Sequence, residues 1–138
     1  MTNYFDKQGL FTAHSNNCDG TESFVALFSG SSVGFCIEKN EHSAQYWEDA
    51  RKTCAAAGKR LPEPGEWKDS CQNAGTLGLS DMTGNWEWAS NFSLPMYDGN
   101  GNGVGSPVFG GSGCNHATWL WVGYGTGGEN SGAFRCVR

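Results

Sequence analysis

Apolar residues in the middle of the chain recur with the period of a helix. Four of them follow one another at spacings of three, four and three residues: Trp47, Ala50, Cys54 and Ala57. This spacing places them on one face of a helix. Ser43 is expected to cap the N-terminus of that helix, and Gly58 is expected to stop it.

The segments before this helix have the pattern of strands. Residues 23–29 (SFVALFS) and 32–37 (SVGFCI) are rich in apolar and aromatic side chains, and a short break that contains Gly30 separates them. They predict two short strands.

A second, shorter helix is expected to open at Leu61 and Pro62. Pro64 and Glu66 suit its first turn, because proline there loses no needed N–H and a carboxylate is favoured at the positive end of a helix. Residues 73–80 are expected to form a glycine-containing loop, and residues 81–88 a loop that leads into a strand.

The C-terminal part of the chain differs in composition from the rest. Residues 99–138 contain twelve glycines and three charged side chains, which are Glu129, Arg135 and Arg138. So many glycines disfavour a helix and predict loops and short strands. The chain as a whole is therefore expected to be an α+β domain.

Length and charge limit the classes of function. The chain has 138 residues, which fits a single domain over 1–138, and its formal net charge of −5 argues against binding to nucleic acid. No run of about 18 apolar residues is present, so no membrane span is expected. The N-terminal sequence MTNYFDKQGLF lacks the features of a signal peptide.

The six cysteines form an even set, which favours disulfides and an oxidising final location. That location conflicts with the missing export signal. A virus particle released from its host would reconcile the two, as would a host with an oxidising interior. The competing explanation is zinc, but no CxxC pair is present.

Three motifs occur in an order that resembles a known family. They are GKRLPEPGEW at 58–67, DMTGNWEW at 81–88 and GAFRCVR at 132–138. Together they resemble the formylglycine-generating-enzyme subclass of the C-type lectin fold. The resemblance covers about residues 33–138 and implies a loop-rich α+β fold, with two helices around short antiparallel sheets.

The resemblance also implies how the cysteines pair. In the C-type lectin fold a cysteine of the first helix bonds to one in the last strand, and Cys54 and Cys136 occupy those positions. Formylglycine enzymes often have a second bridge, and Cys71 and Cys114 match its spacing. Cys18 and Cys36 are then left to pair across the N-terminal turn.

The catalytic residues of the enzyme family are not matched. Its members hold copper through two cysteines shortly before the terminal strand, whereas the corresponding region here has only Cys114. The family's RGGSW signature reads FGGSG at 109–113. His14, His42 and His116 do not have the spacing of the iron-dependent relatives. We therefore expect no enzymatic activity, and a shortened oxidase that uses Cys114 is the alternative.

A second group of the same subclass is matched better. The segment from Gly110 to Arg138 resembles the end of the variable proteins of diversity-generating retroelements, in which a GG(S) turn precedes a diversified stretch and a GFRCVR-like strand. The resemblance implies a ligand-binding protein on a virion or cell surface, with residues 105–138 as the variable region and a protein or glycan on a target surface as the ligand. Errors at AAC or AAT codons yield Asn, Ser, Tyr, His, Thr, Gly, Ala, Leu, Val or Cys.

Small polar and aromatic side chains suit such a binding surface, because they give contact area at low entropic cost. The candidate contacts are Asn115, His116, Thr118, Trp119, Leu120, Trp121, Tyr124, Thr126 and Asn130. Trp119 and Trp121 fall outside the codon set, so they are expected to be fixed scaffold or fixed contacts.

Two short segments are candidate calcium sites. Asp98, Asn100 and Asn102 place oxygen atoms on alternate residues around a glycine turn, which is half of a calcium loop. The other reading is a turn stabilised by Asx hydrogen bonds. Asn85 and Glu87 match a calcium-binding loop of the family, although this chain is one residue shorter there. A calcium-dependent lectin is therefore a further alternative.

Overall fold

The computed structural model describes residues 17–90, 95–97, 102–122 and 130–138. The strands are β1 (Glu22–Ala26), β2 (Gly34–Glu38), β3 (His42–Tyr46), β4 (Glu87–Trp88), β5 (Pro95–Tyr97), β6 (Asn102–Phe109), β7 (Ala117–Trp121) and β8 (Ser131–Phe134). The helices are α1 (Trp47–Ala56), α2 (Pro64–Gln72) and α3 (Ala74–Leu77). The described residues therefore form an α+β fold, as the sequence predicts.

The strands form two sheets. β1 and β2 make an antiparallel pair, and the larger sheet has the order β3-β8-β4-β6-β5, with β7 also paired to β6. The expectation of purely antiparallel sheets is wrong in one place, because β4 and β8 run parallel through Glu87 and Ala133. The last strand thus lies between two strands that come much earlier in the chain.

Helix α1 buries the predicted face but begins later than predicted. Trp47, Ala50 and Cys54 are buried, whereas Ala57 is exposed and caps the C-terminus. Ser43 does not cap the helix, because it lies in β3, which pairs with β8. A long-range strand pairing has overridden a local capping signal.

Helix α2 begins at Pro64 instead of Leu61. Its N-terminus has a capping box, in which the side chains of Glu63 and Glu66 each accept a backbone N–H of the other residue. Glu66 is buried and also binds the guanidinium of Arg60, at 2.7 and 2.8 Å. The segment expected to be a loop after α2 contains the short helix α3, which ends at Gly78 with φ 70°.

The main core lies between α1 and the larger sheet. It is formed by apolar side chains that include Trp47, Leu61, Trp88, Val108 and Phe134, together with the disulfide Cys54–Cys136. The structure also contains the disulfides Cys18–Cys36 and Cys71–Cys114. These three pairings are the ones that the resemblance implied, and they account for all six cysteines.

The small sheet is joined to the C-terminal residues. Cys36 and Arg138 exchange two backbone hydrogen bonds, and Glu22 accepts the Arg138 guanidinium at 2.8 to 3.1 Å. None of the described helices is long and apolar enough to cross a membrane.

The disulfides Cys54–Cys136 and Cys18–Cys36 should differ in how much they stabilise the fold. Cys54–Cys136 joins residues 82 apart, whereas Cys18–Cys36 joins residues 18 apart. Loop entropy then predicts that the double variant Cys54→Ala/Cys136→Ala loses about 1 kcal/mol more than Cys18→Ala/Cys36→Ala. Urea unfolding of both variants measures the difference. An equal or smaller loss for the longer loop would contradict the entropic account.

Candidate functional site

The connection between β6 and β7 is held tightly against the body of the domain. Gly110 has a φ of 95°, and a Cβ on it would lie 2.5 Å from the Met82 carbonyl oxygen. Its N–H donates to the His116 carbonyl and its own carbonyl accepts the Gly84 N–H, at 3.0 and 2.8 Å. Only glycine fits such a backbone approach, so the GG turn is required by the fold.

The indole of Trp86 supports the same connection. Gly111 lies against the ring of Trp86, where a Cβ would come within 2.5 Å of the indole. The imidazole of His116 packs on the same indole with ring centroids 4.8 Å apart, and its Nδ1 is 2.7 Å from the Ser112 hydroxyl. Trp86 is therefore the platform on which this hairpin turn rests.

A disulfide completes the attachment. Cys114 in the turn is bonded to Cys71 of α2, and Cys71 packs in a second apolar cluster with Trp67 and Met82. The turn is thus fixed by the backbone of Gly110, by the backbone carbonyl of His116 and by the disulfide at Cys114. An oxidase that uses Cys114 would need this disulfide to be reduced, because only a free thiolate is a nucleophile or a metal ligand.

The hairpin surface consists of the exposed residues of this connection and of the start of β7. They are Ser112, Asn115, His116, Ala117 and Thr118. Three of them were predicted contacts: Asn115, His116 and Thr118. Their exposure on a fixed backbone is what a binding surface requires, because little entropy is then lost when a ligand binds.

The other predicted contacts are distributed differently. Leu120 is half-buried and packs against the main core, so it belongs at least partly to the scaffold. Asn130 is half-buried next to β8. Trp119 and Trp121 lie in β7, where the backbone pairs them with Pro107 and Gly105 of β6. Tyr124 and Thr126 lie outside the described residues.

Sequence reasoning did not identify Trp86 and Ser112 as part of this site. Trp86 lies in the segment 81–88, which was expected only to be a loop that leads into a strand, although its indole contacts the imidazole of His116. The available signal was the position of this large aromatic residue two residues after Gly84 in GNWEW. No periodicity could place Ser112 beside His116.

A buried ion pair joins Glu87 of β4 to Arg135, the residue after β8. Arg135 is fully buried, and its Nε donates to Glu87 at 2.7 Å. Its two terminal nitrogens donate to the carbonyl oxygens of Glu38, Lys39 and Ser80 at 2.7 to 3.2 Å. Burial raises the pKa of Glu87 to about 7, although the Arg135 guanidinium acts in the opposite direction.

This ion pair bears on the predicted calcium site at Asn85 and Glu87. The Glu87 carboxylate already binds Arg135, and Asn85 donates its amide to both carboxylate oxygens of Glu41, at 2.7 and 2.9 Å. These contacts argue against Glu87 as a cation ligand. The ion pair was not predictable from local sequence, because Arg135 lies 48 residues away from Glu87.

The second candidate calcium segment is only partly visible. Asp98 and Asn100 lie outside the described residues, and Asn102 is the first residue of β6, with its backbone paired to Tyr97. Among the described residues, Glu38, His42 and Cys136 bring metal-binding atom types together. The sulfur of Cys136 is in the disulfide with Cys54, so it cannot serve as a thiolate ligand.

Comparisons with protein-family models, with curated proteins and with solved structures find no match for this chain. Its function is therefore inferred from its own residues, above all from the geometry of the hairpin surface, and from the motif resemblance.

The raised pKa of Glu87 predicts a pH dependence of stability. Folding raises the pKa of this carboxyl group above its unfolded value of about 4.5. Such a group contributes most to the free energy of unfolding below the unfolded pKa. Its contribution should fall as the pH rises toward 7 and then stay level. Urea unfolding of the wild type and of Glu87→Gln at pH 4.5, 6 and 8 measures this. The free energy of unfolding of the wild type minus that of Glu87→Gln should fall from pH 4.5 to pH 8, and a rise in this signed difference would show that Arg135 outweighs burial.

Proposed function

We propose that this chain is a non-catalytic ligand-binding protein of the C-type lectin fold, diversified by a retroelement within residues 105–138. The observation that carries the proposal is the hairpin surface. Asn115, His116 and Thr118 are exposed there, on a backbone that is fixed by a glycine turn and a disulfide.

The hairpin divides into a fixed frame and exposed side chains. A receptor surface that changes its side chains needs a backbone whose position does not depend on them. Here Gly110, Trp86 and the Cys71–Cys114 disulfide hold the connection through backbone contacts, core packing and a covalent bond. Substitutions at the exposed positions therefore change contact chemistry while the frame keeps its shape.

The residue types at these positions agree with the proposed diversification. Asn, His and Thr all belong to the set reachable by copying errors at AAC or AAT codons, and all three offer hydrogen-bonding groups to a ligand. Such a surface suits a protein or glycan on a target surface. Three disulfides support an oxidising location such as a virion or cell exterior.

The alternatives receive less support from the described residues. The pairing of Cys114 with Cys71 weakens the reading as a shortened oxidase, and the engagement of Glu87 by Arg135 weakens the reading as a calcium-dependent lectin. The hairpin surface requires neither a free thiol nor a cation.

The proposal predicts that exposed and supporting positions differ in their tolerance to substitution. Asn115→Tyr and Thr118→Tyr should change the free energy of unfolding by no more than about 0.5 kcal/mol, because both side chains are exposed. The matched control Leu120→Ala should cost about 2 kcal/mol, because Leu120 packs on the core. Urea unfolding gives these values, and comparable losses at all three positions would contradict a separate frame and surface.

Sequencing of the coding region for residues 105–138 in many natural copies of the gene tests the proposal directly. We expect substitutions at AAC- or AAT-type codons, including those for Asn115, His116 and Thr118. The codons for Gly110, Cys114 and 58–67 should be unchanged. A uniform region 105–138, or substitutions spread evenly over 17–138, would overturn the proposal.

A further inference from the structure

The outer edge of β1 is the edge opposite β2. The backbone N–H of Leu27 donates to the Val33 carbonyl, so these two residues form a hydrogen-bonded pair of the antiparallel ladder. Hydrogen-bonded and non-hydrogen-bonded pairs alternate in such a ladder. The backbone groups of Phe24 and Ala26 therefore point away from β2, toward this outer edge.

The other side of the small sheet confirms this alternation. Cys36, which is opposite Phe24, exchanges both of its backbone hydrogen bonds with Arg138 and not with β1. No hydrogen bond joins the backbone of Phe24 or Ala26 to another described residue outside the ladder. Exposed backbone groups of this kind form a template for another strand.

A groove of about 410 Å³ lies beside β1. One wall is formed by residues 24–29, and the other by Asp69, Asn73, Thr76 and Leu77 of α2, α3 and the turn between them. At its end Phe28 is 69% exposed and Leu27 is 39% exposed, which is high for large apolar side chains. The groove thus combines unpaired backbone groups with apolar surface.

The charge of the groove indicates its occupant. Asp69 is the one charged side chain among the described lining residues, and it takes part in none of the ion pairs between described residues. A second copy of this chain would bring another Asp69 and a net charge of −5. An extended peptide with a basic residue is the complementary partner.

We propose that β1 binds an extended, basic peptide segment of a partner protein by β-augmentation. The peptide adds a strand antiparallel or parallel to β1, exchanges backbone hydrogen bonds with Phe24 and Ala26, and places an apolar side chain near Leu77. A lysine or arginine of the peptide lies next to Asp69. This site is separate from the hairpin surface and does not depend on the function proposed for it.

The test uses the acetylated and amidated peptide KTVTVTK and the full chain. Titration followed by ¹H–¹⁵N correlation spectra should shift the amides of Phe24 and Ala26 and slow their hydrogen exchange. In the free chain these amides should exchange rapidly. Protection of both amides in the free monomer would show that another segment of the chain already occupies the edge, and would overturn the proposal.

Two matched peptides separate backbone pairing from side-chain contact. They carry N-methyl groups on alternate amides in the two opposite phases. The peptide that loses the N–H donors facing β1 should bind at least about tenfold more weakly than the unmethylated parent KTVTVTK. The other methylated peptide should bind as the unmethylated peptide does. Equal binding of both, or no binding of the parent at 2 mM peptide (~20 times a Kd of about 100 µM), would overturn the proposal.

Variants of the chain test the remaining features. Ala26→Pro should fold normally, because its N–H makes no bond within the ladder, and should weaken peptide binding at least about tenfold. Asp69→Asn should weaken it about threefold, whereas the control Asp49→Asn on α1 should not.

Concentration-dependent dimerisation that Ala26→Pro abolishes would make a second copy the occupant instead. If Ala26→Pro does not fold, the methylated peptides still decide.

Discussion

The arrangement of the described fold depends on the buried guanidinium of Arg135. It binds Glu87 of β4 and three carbonyl oxygens, from the end of β2, the residue after it and the loop after α3. A buried charge is tolerated only when its hydrogen-bonding groups have partners, so these three segments have to meet at the guanidinium of Arg135. The parallel pairing of β4 with β8 and the joining of the small sheet to the C-terminal residues both occur around that point.

Local sequence pattern predicted a feature that depends on neighbours in the chain, which is the buried face of α1. The three cysteine pairings join distant residues, and they were implied by the family resemblance and not by local pattern. Other features that depend on distant partners were not predicted. Ser43 has the properties of a helix cap, but β3 pairs with a strand about 90 residues later, and the additional ladder bonds determine its conformation. The motif around Glu87 suggests a cation ligand, and only the ion pair with Arg135 argues against that role.

The candidate site, like the fold, was predictable from the sequence only in part. Composition and motif order identified the segment that contains Asn115, His116 and Thr118, but only the packing of Trp86 and the Cys71–Cys114 bond showed which of its residues are held on a fixed backbone. Helix α2 has a part in both proposed surfaces. Cys71 anchors the hairpin turn, while Asp69, two residues earlier, lines the groove beside β1. The two proposed surfaces are thus attached to one helix, through residues two positions apart.

The position of β8 has a consequence for biosynthesis. This strand comes from residues 131–134, yet it lies between β3 and β4 in the sheet. While the ribosome is still translating the preceding residues, the strands on either side have no partner at that position, and the α1 cysteine has no Cys136 to oxidise with. The nascent chain must therefore remain incompletely folded until residues 131–138 have left the exit tunnel, and contacts of such large sequence separation form slowly. Chaperone protection during that interval would matter more for this chain than for a domain whose sheet assembles in sequence order.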